Sequence, residues 1–178
     1  MDKPFQTDLE TIRKRAREKM MDGAVTDAYK ADRSQVIDVL QEVLATEIVC
    51  VLRYKNHFYM ASGIAAEPVA QHFLQHANEE QGHADLVAQR ITQLGGRPNL
   101  NPAGLATRAH AEYKEGDTLR DMIVEDLVAE RIAVETYSEI VRWLGNDDPT
   151  TRRMIEGILE MEEEHADDLA GMLEEMGA

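Results

Sequence analysis

Residues 160–168 read EMEEEHADD, a stretch that places Glu162 three residues before His165. Residues 78–86 read NEEQGHADL, so Glu80 and His83 repeat the spacing, and the same two letters, AD, follow both histidines. Residues three apart lie side by side on a helix, so each pair can offer a carboxylate and an imidazole to one partner. A single pair of this kind is weak evidence in an acidic chain, whereas the duplicated pair predicts a shared binding site.

The repeat extends upstream of both pairs. Each copy has a glutamate followed seven residues later by a tyrosine: Glu47 with Tyr54, and Glu130 with Tyr137. The upstream glutamate precedes the paired glutamate by 33 residues in the first copy and by 32 in the second. The chain therefore reads as two copies of one helical hairpin, and two hairpins make a bundle of four helices.

Composition limits the classes of function. The 178 residues are 43% hydrophobic with only 5% aromatics, which favours one helical domain. The 34 acidic and 19 basic residues give a net charge of -15, which repels nucleic acid and anionic membranes and suits cations. Cys50 is the sole cysteine, so no internal disulfide forms and a reducing compartment is expected. No apolar run reaches the roughly 18 to 20 residues of a membrane span, and the polar start at residues 1–9 is no secretory signal, so the expected location is the cytoplasm.

The predicted fold is all-α: an antiparallel four-helix bundle over residues 34–178, preceded by an N-terminal arm, residues 1–33, with a short helix over 8–21. Apolar residues recur every three or four positions in four segments bounded by capping residues, prolines and glycines. The expected helices run from an Asp32 or Ser34 cap to Ser62, from Glu67 to Gly95, from an Asp117 cap to Gly145, and from Asp148 onward. Residues 97–116 form the long crossover that two parallel helices need, and 105–114 are expected to be helical within it.

Six potential ligands fall on the inward faces of these helices at similar depth: Glu47, Glu80, His83, Glu130, Glu162 and His165. A carboxylate in an apolar seam costs several kcal/mol unless it is paired or bound to a metal, so these positions predict metal ligands. Four carboxylates carry -4 in total and balance two divalent cations. Oxygen and imidazole ligands favour iron or manganese, and zinc competes for the same site.

Further polar residues are expected around the ligands. The hydroxyls of Tyr54 and Tyr137 lie two helical turns from the upstream glutamates, where they can bond a ligand carboxylate or any other polar partner. Asp126 faces inward one turn before Glu130, and His76 lies one turn before Glu80. We interpret His76 as a core histidine or part of an access route rather than a ligand.

These motifs resemble the ferritin superfamily, specifically bacterioferritin and the Dps-like proteins that carry a bacterioferritin-type di-iron site. All six ligand positions match, and residues 95–100, GGRPNL, resemble the family's turn after the second helix. The resemblance implies a ferroxidase that binds two Fe(II) per chain, oxidises them with O2 or hydrogen peroxide and stores ferric mineral in a hollow homo-oligomeric shell.

Three departures from the family pattern refine this expectation. Bacterioferritins hold haem through a methionine at the position of Gln81, so we expect no haem. Only 13 residues follow His165, too few for the end of the fourth helix and the fifth helix of the 24-subunit shells. The crossover is also longer than in bacterioferritin and resembles that of the Dps-like group. The resemblance therefore implies a 12-mer, with a 24-mer as the alternative.

Two other functions stay open. One is a di-iron or di-manganese oxidoreductase, related to peroxidases or catalases, that stores no mineral. The other is a DNA-protecting shell in which the basic cluster of the arm, Arg13 to Lys19, contacts phosphates. The near-neutral arm and the acidic body do not favour DNA binding, and the arm is better interpreted as a helix that packs on a neighbouring subunit or as a frayed tail.

Overall fold

The computed structural model describes residues 4–63 and 66–177, which form helices and no strand. The helices are α1 (Leu9–Glu18), α2 (Arg33–Met60), α3 (Ala66–Gln93), α4 (Leu105–Arg108), α5 (Leu119–Leu144) and α6 (Pro149–Gly177), with a 3-10 turn at Met20–Asp22. The predicted all-α bundle with an N-terminal helix is confirmed. Parts of both predicted regions, residues 1–3 and Ala178, lie outside the described residues, and the boundary at residue 34 stays a prediction. Among the described helices, none is both long and apolar enough to cross a membrane.

The two hairpins are α2 with α3 and α5 with α6, as the repeat predicts. Asp32 caps α2 by accepting hydrogen bonds from the backbone N–H of Ser34 and Gln35 at 3.0 and 3.2 Å. The predicted Asp117 cap of α5 is wrong by one residue. Thr118 is the cap because its hydroxyl accepts from the Asp121 N–H while the Asp121 carboxylate accepts from the Thr118 N–H, a reciprocal capping box.

The turn after α3 needs both of its glycines. Gly95 has a φ of +83°, and a Cβ added to Gly96 would lie 3.0 Å from the Ile37 side chain. The Gln41 side chain then fastens the chain beyond the turn, since it donates to the Arg97 carbonyl at 2.8 Å and accepts from the Asn99 N–H at 2.9 Å.

The crossover is less helical than expected. The predicted helix over 105–114 is wrong beyond Arg108, where α4 ends after one turn. Ala109 adopts an extended backbone, and the next N–H, that of His110, donates at 2.9 Å to the Thr46 hydroxyl on α2 instead of to a helical carbonyl. The crossover therefore lies along α2 and is fastened to it.

Two apolar clusters fill the bundle at different depths. The first cluster includes Leu40, Leu44, Val87, Ile91, Ile140, Leu144, Ile155 and Ile158. The second cluster is Tyr54, Phe73, Ala77, Met122, Ile123 and Leu169. On every long helix the predicted ligands lie between a residue of one cluster and a residue of the other, so the polar layer is sealed on both sides.

The arm closes one end of the bundle. Val25, Tyr29 and Ala31 pack against the first cluster, and the Lys30 N–H donates to the Asp147 carbonyl at 3.3 Å. In contrast, α1 has no buried residue. The end of the arm next to α2 is therefore part of the packed body.

A buried ion pair ties α3 to the start of α6 at this same end. The Arg90 guanidinium donates to both Asp148 oxygens at 2.9 and 3.1 Å, and to the Thr151 hydroxyl at 2.7 Å. Burial on its own raises the pKa of Asp148, but hydrogen bonds from the Thr151 hydroxyl and N–H and the charge of Arg90 outweigh it, so the pKa lies below its ordinary value.

Replacing Asp148 by Asn should lower the free energy of unfolding at pH 7 by about 3 kcal/mol, because Arg90 stays buried without its counter-charge. The stabilisation linked to a lowered pKa is present above the unfolded-state value near 4 and is lost as pH falls through the folded-state value. Urea unfolding at pH 7 and pH 3 should therefore show a difference from wild type that shrinks at pH 3. Asp147→Asn, on the exposed neighbour, is the control, and an equal effect of both variants would contradict the role of the ion pair.

Candidate metal centre

The structure brings all six predicted ligands into one layer between the apolar clusters. Each helix of the bundle contributes: α2 Glu47, α3 Glu80 and His83, α5 Glu130, and α6 Glu162 and His165. The side chains are buried, with relative exposures between 0% and 6%. Their inward placement follows from the helical spacing that also buries the neighbouring apolar residues.

The six side chains form two overlapping groups, each with ligand atoms within 4.8 Å of one another. The first group is Glu47, Glu80, His83 and Glu162, and the second is Glu80, Glu130, Glu162 and His165. Glu80 and Glu162 belong to both groups, so each hairpin lends its paired glutamate to the other half of the site. With this sharing, six side chains could offer four ligands to each of two ions.

Both histidines turn Nδ1 toward this shared space. The Nδ1 of His83 lies 3.0 Å from Glu162 Oε1, 3.3 Å from Glu47 Oε2 and 3.6 Å from Glu80 Oε2. The Nδ1 of His165 lies 3.2 Å from Glu80 Oε1 and 3.5 Å from Glu162 Oε2. Each imidazole therefore faces both shared carboxylates.

Most polar atoms of the layer lack a hydrogen-bond partner, although buried polar atoms normally have one. Among the described residues, seven such buried atoms belong to the six side chains: Glu47 Oε2, Glu80 Oε1, His83 Nδ1, Glu130 Oε2, both oxygens of Glu162, and His165 Nδ1. These oxygen and imidazole atoms converge on the same two spaces. The donor set fits divalent cations such as Fe(II), Mn(II) or Zn(II).

The pKa values of the buried glutamates show how the layer limits its negative charge when no metal is bound. Burial, followed by repulsion from Glu162 and Glu80, raises the pKa of Glu47 and of Glu130 well above its ordinary value. Burial also acts to raise the pKa of Glu80, but the adjacent imidazoles of His165 and His83 reverse that effect, and its pKa is lowered. Without cations the layer keeps protons on some groups to limit its own negative charge.

The histidines hold protons for the same reason. Burial lowers the pKa of an imidazole, but Glu162, Glu47 and Glu80 surround His83 and raise its pKa to about 12. Glu162 and Glu80 likewise raise the pKa of His165 to about 10 against the effect of burial. A divalent ion bound in this layer would replace these protons, since a ligating imidazole must be neutral.

The two tyrosines reach across the bundle. The Tyr54 hydroxyl donates to Glu130 and the Tyr137 hydroxyl donates to Glu47, so each tyrosine bonds the upstream glutamate of the opposite hairpin. Each upstream glutamate thus has one oxygen held by a tyrosine and the other facing the layer without a partner. The tyrosines orient these carboxylates.

Asp126 lies one turn from Glu130, but its carboxylate binds other groups. Arg53 donates to one of its oxygens at 2.8 Å, and Nδ1 of His57 lies 2.8 Å from the other. All three side chains are fully buried. Sequence reasoning did not single out Arg53 or His57, and their only signal was a charged residue and a histidine one turn apart on a buried helix. This cluster joins α2 to α5 beneath the ligand layer.

His76 lies beside the ligands, and so does Glu79, which has no counterpart in the repeat. Burial lowers the pKa of His76 to about 4, and its ring stacks on that of His165 at 4.1 Å between centroids. Glu79 Oε2 lies 3.0 Å from Nε2 of His165. An Nε2–H that donates to Glu79 leaves Nδ1 of His165 free for a metal, so Glu79 positions this ring. Met161 occupies the equivalent position in the second repeat, which is why the repeat gave no signal for Glu79.

Comparison with known proteins identifies the family of the chain. Residues 37–177 match the family model for the ferritin-like domain. The bacterioferritin of Mycobacterium bovis is 30% identical over 142 residues, which cover 79% of this chain and 85% of that protein.

Two solved structures resemble the fold closely. The dodecameric thioferritin of Bacteroides fragilis, a bacterioferritin-related protein, aligns with a TM-score of 0.80 and 31% identity over 83% of this chain and 89% of that one. The bacterioferritin of Rhodobacter capsulatus, whose structure has a metal-free dinuclear site and a heme iron, aligns with a TM-score of 0.72 and 27% identity over 82% and 86%.

A metal bound in this layer should stabilise the fold through Glu162. An ion at a hundredfold excess over its Kd adds about 2.7 kcal/mol to the free energy of unfolding. Because Glu162 belongs to both groups, Glu162→Gln should lose most of the rise in Tm that anaerobic Co(II) produces in wild type. Glu163→Gln removes the same charge from the exposed side of α6 and should keep the full rise. Equal shifts in both variants would rule out Glu162 as a ligand.

The contact between Glu79 and His165 should matter to one ion of the pair. Glu79→Met copies the second repeat and should weaken binding of that ion by about 10- to 100-fold, the usual cost of losing an orienting partner. Anaerobic Co(II) titration measures the change as a second, weaker binding phase. Glu160→Met, on the exposed face of α6, is the control, and unchanged affinity in Glu79→Met would show that His165 is held by other contacts.

Proposed function

Because the chain belongs to the ferritin family, we propose that it is a ferroxidase that binds two Fe(II) per chain, oxidises them with hydrogen peroxide or O2 and stores the ferric product. The observation that carries this proposal is the pair of overlapping ligand groups with Glu80 and Glu162 in common. A shared carboxylate holds two ions close enough to react with one oxidant molecule. The proposed ligands are the six buried residues of the layer.

The glutamates, histidines and tyrosines of the layer have different roles in this proposal. Glu47 and Glu130 each hold one ion at its outer side, and the tyrosines fix their orientation. His83 and His165 supply neutral nitrogen ligands, and the shared glutamates keep the two ions at a fixed separation. Iron is the substrate here, so these ligands must bind Fe(II) and then release Fe(III).

The electron count favours a paired site. Each Fe(II) gives one electron, and the two electrons with two protons reduce one hydrogen peroxide to two waters. With O2 as oxidant, the same two electrons and two protons give one hydrogen peroxide. Two ions oxidised together avoid the one-electron reduction of peroxide that releases a hydroxyl radical.

We further propose a homo-oligomeric shell that encloses the mineral, without haem, in the cytoplasm. The dodecameric state of the Bacteroides fragilis relative supports a 12-mer over a 24-mer. Gln81 at the position of the haem methionine has an exposed side chain that bonds Asp85 at 3.1 Å, and it offers no sulfur ligand to haem iron.

Anaerobic Fe(II) titration of metal-free protein, followed by separate additions of O2 and peroxide, tests the proposal. We expect at least two tightly bound Fe(II) per chain, rapid oxidation, and continued soluble uptake of excess iron. Glu80→Gln, which affects both groups, should slow oxidation by at least about 100-fold, whereas Glu67→Gln, exposed at the start of α3, should behave as wild type.

The outcomes separate storage from other chemistry. Saturation of these binding sites with no further uptake of iron would favour the di-iron or di-manganese oxidoreductase that stores no mineral. Failure of wild type to bind Fe(II) tightly would overturn the assignment of the ligands themselves.

A further inference from the structure

A second cluster of potential ligands lies outside the six-residue layer. His72 and His76 stand one turn apart on α3, and Asp168 of α6 faces them, with one ligand atom from each within 4.8 Å of the others. His76 is buried, His72 is half-buried and the Asp168 side chain is 49% exposed. The cluster therefore leads from the surface toward the interior.

The hydrogen bonds of His76 fix which nitrogen faces this cluster. The Tyr54 hydroxyl uses its proton to bond Glu130, so its oxygen can only accept from Nδ1–H of His76, 3.2 Å away. The lone pair of His76 is then on Nε2. That nitrogen lies 4.0 Å from Asp168 Oδ2, too far for a hydrogen bond, and a neutral Nε2 has no proton to donate to it.

His72 adds a second free donor atom. Its Nδ1 is buried and has no hydrogen-bond partner among the described residues. Two imidazoles and one carboxylate with open positions are the ligand set that iron(II) and similar first-row ions take in proteins. Core packing does not explain this arrangement, because packing alone would leave the buried Nδ1 of His72 unpaired.

Three groups of ligands overlap from the surface to the layer. His76 belongs to the outer cluster and also to a middle group with Glu79 and His165. His165 in turn belongs to the inner group with Glu80, Glu130 and Glu162. Consecutive groups share a histidine, and the two shared rings stack at 4.1 Å.

We propose that His72, His76 and Asp168 form a third metal site that captures a divalent first-row transition ion and delivers it to the dinuclear centre. The site holds one ion with ligands from two helices, and the acidic Glu79 lies on the way inward. The binding site stands on its own geometry, whereas the delivery role rests on the proposed ferroxidase function. No covalent step is involved, since the ion moves between ligand groups without a change of charge.

Anaerobic Co(II) titration of the full chain, followed by visible absorption, tests the site. Wild type should bind about three Co(II) per chain, whereas Asp168→Asn and His72→Gln should each bind about two. Asp167→Asn is the matched control, because it removes the same charge from the adjacent exposed position of α6 and should keep the third ion. An equal Co(II) count in all four proteins would overturn the proposal.

Oxidation kinetics test delivery separately. At Fe(II) below saturation, the initial oxidation rate of Asp168→Asn and His72→Gln should fall by at least about threefold relative to Asp167→Asn, while saturating Fe(II) restores it. Loss of the third Co(II) with an unchanged rate would disprove delivery and leave the site. If wild type does not oxidise Fe(II) at all, the ferroxidase proposal and the delivery role fail together, but the Co(II) counts still decide whether the third site exists.

Discussion

The mutual repulsion of four buried carboxylates is the constraint that the rest of this structure must balance. Carboxylates packed into an apolar interior cost several kcal/mol each unless cations or protons neutralise them. The fold keeps them there by closing the layer with two apolar clusters that exclude water and by distributing the charges over four helices. Without metal, raised pKa values on Glu47 and Glu130 and protonated imidazoles reduce the repulsion. The layer therefore depends on protons or cations to neutralise its negative charge.

The supporting contacts lie mainly between the hairpins rather than within them. Tyr54 and Tyr137 exchange partners across the bundle, Arg53 and His57 reach from α2 to Asp126 on α5, and Arg90 ties α3 to the start of α6. A hairpin on its own has half of the ligands, and it has only one of the two residues that form each of these contacts. The bundle is consequently held together by polar contacts between the hairpins as well as by apolar packing.

The duplicated spacing was sufficient to predict the four helices, the two hairpins and the burial of all six side chains. Helical periodicity carries that information, because residues three, four and seven apart share a face. The repeat could not identify Glu79 as a functional residue, because the equivalent residue in the second copy is Met161. It also could not tell which carboxylate each tyrosine bonds, because contacts between hairpins depend on how the helices face each other. In the crossover, tertiary hydrogen bonding of His110 to Thr46 replaced the helix that local sequence favoured.

The exchange of tyrosines sets the alignment of the two hairpins along the bundle axis. A slip of α5 by one turn, about 5.4 Å, against α2 would break both tyrosine contacts at once and move both upstream glutamates away from the shared ones. Apolar side chains tolerate such sliding, since one aliphatic surface resembles the next. The pair of tyrosines instead makes the correct register the only one in which both upstream glutamates keep their tyrosine donors. Each half of the duplicated chain thus fixes the axial position of the other half, because its tyrosine bonds the upstream glutamate of that half.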